Sequence, residues 1–200
     1  MAISPDARDP AHARRQRSRR EGTPRDDIVA DPEPDHHSVA RRIVLDQLTR
    51  AARSRAELEA SLARRNVPAA VARDVLDRME QVELVDDAAF AQQWVESRHR
   101  SRGLARRSLA AELHRKGIDA EVAQQALGTL DPDREIQTAR DLVARKLRAT
   151  RGQDPAARMR KLASMLARKG YSAGVSYTVV REALAREGVD ADEFEPTDLS

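Results

Sequence analysis

Hydrophobic residues in the middle of the chain recur every three to four positions, which is the spacing of one face of an α-helix. Nine such stripes follow one another between residues 38 and 186, separated by residues that start or stop helices. Ser54 followed by Glu57 is a capping-box pattern, and Asp131-Pro132-Asp133 is a helix-start pattern. Aromatic residues make up only 2% of the chain, which also favours helix over sheet. The pattern predicts an all-α protein with nine helices.

The nine helices fall into three repeats, because three segments of the chain align at offsets of 51 and 53 residues. The segments are ELEASLARRNVPAAVARDVL, SLAAELHRKGIDAEVAQQAL and KLASMLARKGYSAGVSYTVV. After the second helix of each repeat comes Asn66, Gly117 or Gly170, residues that tolerate the left-handed backbone of a helix end. A three-helix unit of about 50 residues buries little core alone, so such units support one another by stacking. The sequence therefore predicts an elongated array of three tandem three-helix repeats.

The predicted repeats span residues 38–85, 86–130 and 131–186, and a segment of different composition lies at each end. Residues 1–37 hold seven Arg, eight acidic residues and five of the nine prolines, but few residues that could be buried. Such a composition predicts a disordered extension. Residues 187–200 hold six acidic residues and no Lys or Arg, which predicts an acidic tail.

The repeats are more basic than the whole chain, whose formal net charge is +3. Between residues 38 and 186, 29 Lys and Arg stand against 19 Asp and Glu. A basic surface attracts phosphate groups or acidic proteins. Basic residues at helix C-termini also complement the helix dipole, so part of this charge has a purely structural explanation. The candidate binding residues cluster around Gly103 and at the end of the seventh helix: Arg98, Arg102, Arg106, Arg107, Arg145 and Lys146.

Residues that would support catalysis or metal binding are scarce. The chain has no Cys, which excludes disulfides, thiolate metal sites and a cysteine nucleophile. It has no Gly-rich phosphate loop, and His99 and His114 have no second ligand at metal-binding spacing. Asp86-Asp87 is better explained as a helix start than as a catalytic pair. We therefore expect a protein that is not an enzyme and that needs no metal or cofactor.

The distribution of apolar residues also bears on location. No apolar run approaches the ~20 residues that a membrane-spanning helix needs, and the N-terminus lacks the apolar core of a signal peptide. We expect a soluble, cytoplasmic protein.

The middle repeat resembles the signature of the RecX family, which comprises regulatory proteins of the bacterial recombinase RecA. The residues that carry the resemblance are Asp86, Phe90, Ala91, Trp94, Arg98, Gly103, Leu109, Glu112, Leu113, Lys116, Gly117 and Ile118. The similarity extends from about Ser38 to about Glu187, and the outer repeats match more loosely. Asn66 stands where the family pattern has Gly, and the residue 1–37 extension is not covered.

The resemblance implies a curved rod of three three-helix modules that binds RecA, both as a monomer and as a nucleoprotein filament. Family members inhibit filament extension and the recombinase, ATPase and coprotease activities of RecA, and so modulate DNA repair, homologous recombination and the SOS response. The six candidate cations would then contact acidic RecA surface or DNA phosphate. The architectural part of the signature would be Asp86, Phe90, Ala91, Trp94, Leu109, Leu113, Gly117 and Ile118. A monomer is the simplest active species.

Two other functions fit the residues. The first is a DNA-binding or architectural protein that acts without RecA, since three-helix units can dock helices in grooves. A steep salt dependence of binding to naked DNA would identify it. The second is a helical adaptor for a different acidic protein, for which DNA would be dispensable. Trp94 could stack on a base, although its place on the stripe with Phe90 favours core packing.

Overall fold

The computed structural model describes residues 35–188, and within this range it is entirely helical, as predicted. Most of the predicted extension, residues 1–34, and most of the predicted acidic tail, residues 189–200, lie outside the described range. The nine α-helices of residues 35–188 form three consecutive groups of three, which we call repeats 1, 2 and 3.

Repeat 1 consists of α1 (His36–Leu48), α2 (Arg55–Ala63) and α3 (Ala69–Gln81). The predicted capping box opens α2: Ser54 accepts the Glu57 amide, and Glu57 in turn accepts the Ser54 amide. Pro68 precedes α3 as its N-cap. Asn66 takes the expected left-handed conformation, with a φ of 58°.

Repeat 2 consists of α4 (Asp87–Arg102), α5 (Arg106–Arg115) and α6 (Ala120–Gly128). Asp86 caps α4 by accepting the Ala89 amide at 2.9 Å, which supports its interpretation as a helix start. Repeat 3 consists of α7 (Pro132–Leu147), a short 3-10 turn (Arg148–Thr150), α8 (Pro155–Arg168) and α9 (Ala173–Ala185).

Each repeat has its own hydrophobic core. The aligned leucines of the middle helices are at most 1% exposed: Leu58, Leu62, Leu109, Leu113, Leu162 and Leu166. Within residues 35–188, extensive helix–helix packing joins only helices of the same repeat. Neighbouring repeats therefore meet mainly through loops and helix ends, at two places that we call the first joint (repeats 1 and 2) and the second joint (repeats 2 and 3).

Backbone hydrogen-bonding groups hold the first joint together. The Ser54 hydroxyl donates to the Lys116 carbonyl at 2.6 Å, and the Arg55 amide donates to Asp87 at 2.8 Å. Burial raises the pKa of Asp87 even though it accepts this amide. Gly117 fits against Ala56 so closely that a Cβ on Gly117 would lie 2.3 Å from the Ala56 Cβ.

The second joint repeats this arrangement. The Ala105 amide donates to the Lys169 carbonyl at 2.9 Å, and the Arg106 amide donates to Glu135 at 3.0 Å. Ala105 and Arg106 follow their first-joint equivalents by 51 residues and Lys169 follows Lys116 by 53, the offsets seen in the sequence, whereas Glu135 follows Asp87 by 48. The sequence repeat thus encodes the joints as well as the cores.

Candidate functional site

Three of the six candidate cations are exposed and available: Arg107 on α5, and Arg145 and Lys146 on α7. No side-chain hydrogen bond or ion pair within residues 35–188 engages any of them. Arg107 is the second residue of α5, where the positive end of the helix dipole repels its positive charge. An anionic partner would relieve that unfavourable placement.

Two other candidates, Arg98 and Arg102, share one carboxylate. Glu112 is only 14% exposed and lies 3.6 Å from the Arg98 guanidinium and 3.3 Å from that of Arg102. The same carboxylate accepts the indole N–H of Trp94 at 2.9 Å. The Arg98 guanidinium lies 4.1 Å from the centre of the Trp94 ring, and the Lys116 ammonium lies 4.5 Å from it. Arg98 is therefore mainly a structural residue, whereas the Arg102 side chain is 55% exposed and remains accessible to a partner.

Arg106 belongs to the second joint. Its side chain pairs with Glu135 at 3.2 Å and donates to the Leu130 carbonyl. A reversal of charge at Arg106 would bring a second carboxylate against Glu135. Arg106 is thus a poor probe of binding, and its neighbour Arg107 is the better one.

The second joint also brings together cations that are distant in sequence. The Lys169 ammonium donates to the Arg102 carbonyl at 2.5 Å. Burial, with the positive charges of Arg102 and Arg145, lowers the pKa of Lys169. From the sequence, Lys169 could be explained as a cation at the end of α8, so its part in this cluster was missed. Lys169 aligns in the sequence repeat with Lys116, which pairs with Glu57 at the first joint. This alignment was the available signal.

Most of the apolar family-signature residues are internal, whereas Asp86 and Gly117 are exposed. Phe90, Ala91, Leu109, Leu113 and Ile118 are all at most 6% exposed in the core of repeat 2. Trp94 is partly buried and stacks on Phe90 with ring centres 5.6 Å apart. The positions of these residues support the prediction that they are architectural.

A cleft of about 360 Å³ opens beside the second joint, between the start of α5 and the helices α7 and α9. Ile136, Tyr171 and Val175 form its apolar wall, and Arg106 and Arg107 lie at its rim. Among residues 35–188, no group of three His, Asp or Glu side chains converges as metal ligands. None of the helices in this range has the length and hydrophobicity to span a bilayer.

Comparison with known proteins places this geometry in a family. Models of the first, second and third RecX three-helix domains match residues 40–79, 86–127 and 133–180, more than half of the chain. The chain belongs to the RecX family. The predicted resemblance and the predicted fold of three tandem three-helix repeats are therefore confirmed.

Named relatives agree with this assignment to the RecX family. A protein of Streptomyces coelicolor named regulatory protein RecX is 53% identical over 162 residues, covering 81% of this chain and 86% of the relative. One of Thermobifida fusca with the same name is 53% identical over 163 residues, covering 82% and 88%. The crystal structure of RecX from Lactobacillus salivarius has the same fold, with a TM-score of 0.69 at 20% identity, covering 74% of this chain and 96% of the other.

Proposed function

We propose that this member of the RecX family binds the recombinase RecA, both free and as RecA–DNA filaments, and inhibits filament extension. Inhibition of the recombinase, ATPase and coprotease activities would follow, and with it control of DNA repair and the SOS response. Family membership supports the partner. The observation that carries the proposal for this chain is the set of exposed cations without an ion-pair partner in residues 35–188, Arg107, Arg145 and Lys146, together with the repulsion of Lys169 by Arg102 and Arg145.

The electrostatics of the second joint favour an anionic partner. Cations that already depress the pKa of Lys169 repel one another, and a carboxylate or phosphate placed among them would lower the energy of the whole cluster. Relief of this repulsion between cations in the free protein would thus strengthen binding. The expected partner surface is acidic protein, DNA phosphate or both.

Three tandem repeats add a second contribution. Contacts made by one repeat raise the effective concentration of the others at the same filament, so weak contacts combine into tight binding. A filament repeats its surface along its length, and free RecA does not. We therefore expect tighter binding to the filament than to a single RecA molecule. In this proposal the protein acts as a cytoplasmic monomer and without catalysis.

The direct test is to measure binding of the labelled protein to three targets at the same salt concentration. The targets are single-stranded DNA, free RecA, and RecA filaments formed on that DNA with a non-hydrolysable nucleotide. Clear preference for filaments supports the proposal. Equal or tighter binding to naked DNA, with a steep salt dependence, would instead favour the alternative of a DNA-binding protein that acts without RecA.

A charge-matched pair of variants locates the surface. The first variant combines Arg107→Glu, Arg145→Ala and Lys146→Ala; the control combines Arg41→Glu and Arg42→Glu, exposed positions on α1 that give the same change in net charge. We expect the first variant to bind filaments at least about tenfold more weakly and the control to change affinity little. Equal losses in both would mean that net charge rather than this surface determines binding.

A further inference from the structure

A basic groove lies on the face of repeat 3 formed by the end of α7, the 3-10 turn and α8. Its volume is about 230 Å³. Lys146, Lys161 and Arg168 surround it, Leu162 and Met165 form its apolar floor, and no acidic residue among residues 35–188 lines it. The groove therefore combines positive charge with an apolar surface.

The cations of this groove are exposed and have no anionic partner within residues 35–188. Lys146 and Arg168 lie in the last turns of their helices, where the helix dipole favours a positive charge. Lys161 lies in the middle of α8, where the dipole offers no such stabilisation. The exposed ammonium of Lys161 could pair with an acidic side chain, and the apolar floor beside it could pack against an apolar one. The groove therefore suits a segment that carries both kinds of side chain.

The last described turn of the chain leads to this groove. Glu187 accepts hydrogen bonds from Arg158 and from Arg151, and these hydrogen bonds lower the pKa of Glu187. Arg158 is buried, and its Nε donates to the Thr150 hydroxyl at 3.1 Å. Thr150 is itself one of the residues that line the groove. Two side-chain contacts thus connect the end of the described chain to the groove.

The sequence beyond Gly188 complements the groove. Residues 189–200 read VDADEFEPTDLS, with five acidic residues, no Lys or Arg, and the apolar side chains of Phe194 and Leu199. Twelve residues can extend about 40 Å. This length is ample to reach the groove, which Arg158 and Thr150 connect to Glu187. A tethered segment of this length acts at an effective concentration of about millimolar, so even a weak contact would be populated.

We propose that the acidic segment 189–200 docks in cis onto the groove bounded by Lys146, Lys161 and Arg168. The docked segment covers Lys146, one of the cations that we propose for partner binding. The segment would then compete with an anionic partner and set a threshold for binding. The docking itself does not depend on which partner that is.

The test uses the full chain with a nitroxide on Ser200→Cys, which is the sole thiol because the protein has no Cys. Paramagnetic broadening of backbone amide signals reports which residues the segment approaches. At low salt we expect the amides of residues 161–168 to lose at least about half of their intensity, and high salt to restore it. A tail variant replaces the acids by their amides: Asp190→Asn, Asp192→Asn, Glu193→Gln, Glu195→Gln and Asp198→Asn.

The tail variant retains the reach of the segment and loses its charge, so broadening at residues 161–168 should fall to background. Lys161→Gln with Arg168→Gln should remove it as well, whereas the matched pair Arg41→Gln with Arg42→Gln should leave it unchanged. Equal broadening in the parent and the tail variant would overturn the proposal, because reach alone would then explain the signal. Broadening centred on another repeat, or broadening that grows with protein concentration, would also overturn it, since the segment would dock elsewhere or on a second copy.

Discussion

Gly170 lies so close to Ser108 at the second joint that a Cβ built on Gly170 would stand 2.5 Å from the Ser108 amide nitrogen. Gly170 also has a φ of +91°, in the left-handed region that other residues rarely adopt. One glycine therefore meets two separate requirements, the end of α8 and the close approach of α5. The two requirements can be separated by mutation.

We expect Gly170→Ala to be more destabilising than Gly152→Ala. Gly152 has a similar φ of +79°, but a Cβ there meets no atom within 4 Å. Gly152→Ala should cost about 1–2 kcal/mol from backbone strain alone, and Gly170→Ala should cost more because the joint must open. Thermal unfolding followed by circular dichroism measures both. Equal losses of stability would show that the contact with Ser108 contributes nothing.

The first joint allows a complementary experiment. Gly117→Ala would place its new Cβ 2.3 Å from the Cβ of Ala56 on α2. We expect Gly117→Ala to destabilise the protein by more than about 2 kcal/mol. Adding Ala56→Gly should recover part of this loss, although Ala56→Gly alone is mildly destabilising. If the double variant is only as stable as the two separate losses predict, the close contact is not the cause.

The cores could be read from the sequence, because a helical stripe identifies its buried positions without reference to any other part of the chain. Leu58, Leu109 and Leu162 are therefore buried where they were expected. The αL position of Asn66 was equally predictable, since it follows from local backbone sterics.

Residues whose roles depend on a distant partner were not predictable in the same way. Arg158 is 5% exposed and pairs with Glu187, a residue that by composition began the acidic tail. His99 is 2% exposed and connects repeat 2 to α7 through Thr138, at 3.0 Å. Each pairing requires the tertiary fold, and periodicity within one helix carries no information about it.

Glu112 should be a key stabilising residue of repeat 2, because Trp94, Arg98 and Arg102 all direct N–H groups at its carboxylate. Glu112→Ala would leave the partly buried indole N–H without its acceptor, and we expect a loss of about 2–3 kcal/mol. The fluorescence of Trp94, the only tryptophan, should change at the same time.

The control for Glu112 is Glu96→Ala on α4. In the described part of the chain Glu96 pairs only with Arg100, and both side chains are more than 60% exposed. Such a surface pair contributes about 0.5 kcal/mol or less. Equal destabilisation by the two variants, or an unchanged Trp94 emission in Glu112→Ala, would contradict the proposed role of Glu112.

Glu57 should make the first joint sensitive to acid. Burial alone would raise the pKa of Glu57, but the Lys116 ammonium at 2.6 Å and the Ser54 amide outweigh burial and lower it. Since the folded pKa lies below the ordinary value of 4.5, the stabilisation is complete above that value. It is lost as the pH falls through the lower, folded value.

We therefore expect Glu57→Gln to lower the unfolding temperature by a few degrees at about pH 7, corresponding to ~1 kcal/mol. The difference from the parent should shrink as the pH falls below 4.5 and vanish at a pH low enough to protonate the parent carboxylate. Glu59→Gln, an exposed change on the same helix, should have almost no effect at either pH. If the difference in unfolding temperature between Glu57→Gln and the parent persists unchanged in acid, the charge of Glu57 is not what stabilises the joint. In acid the parent side chain is neutral, so a difference caused by its charge would have disappeared.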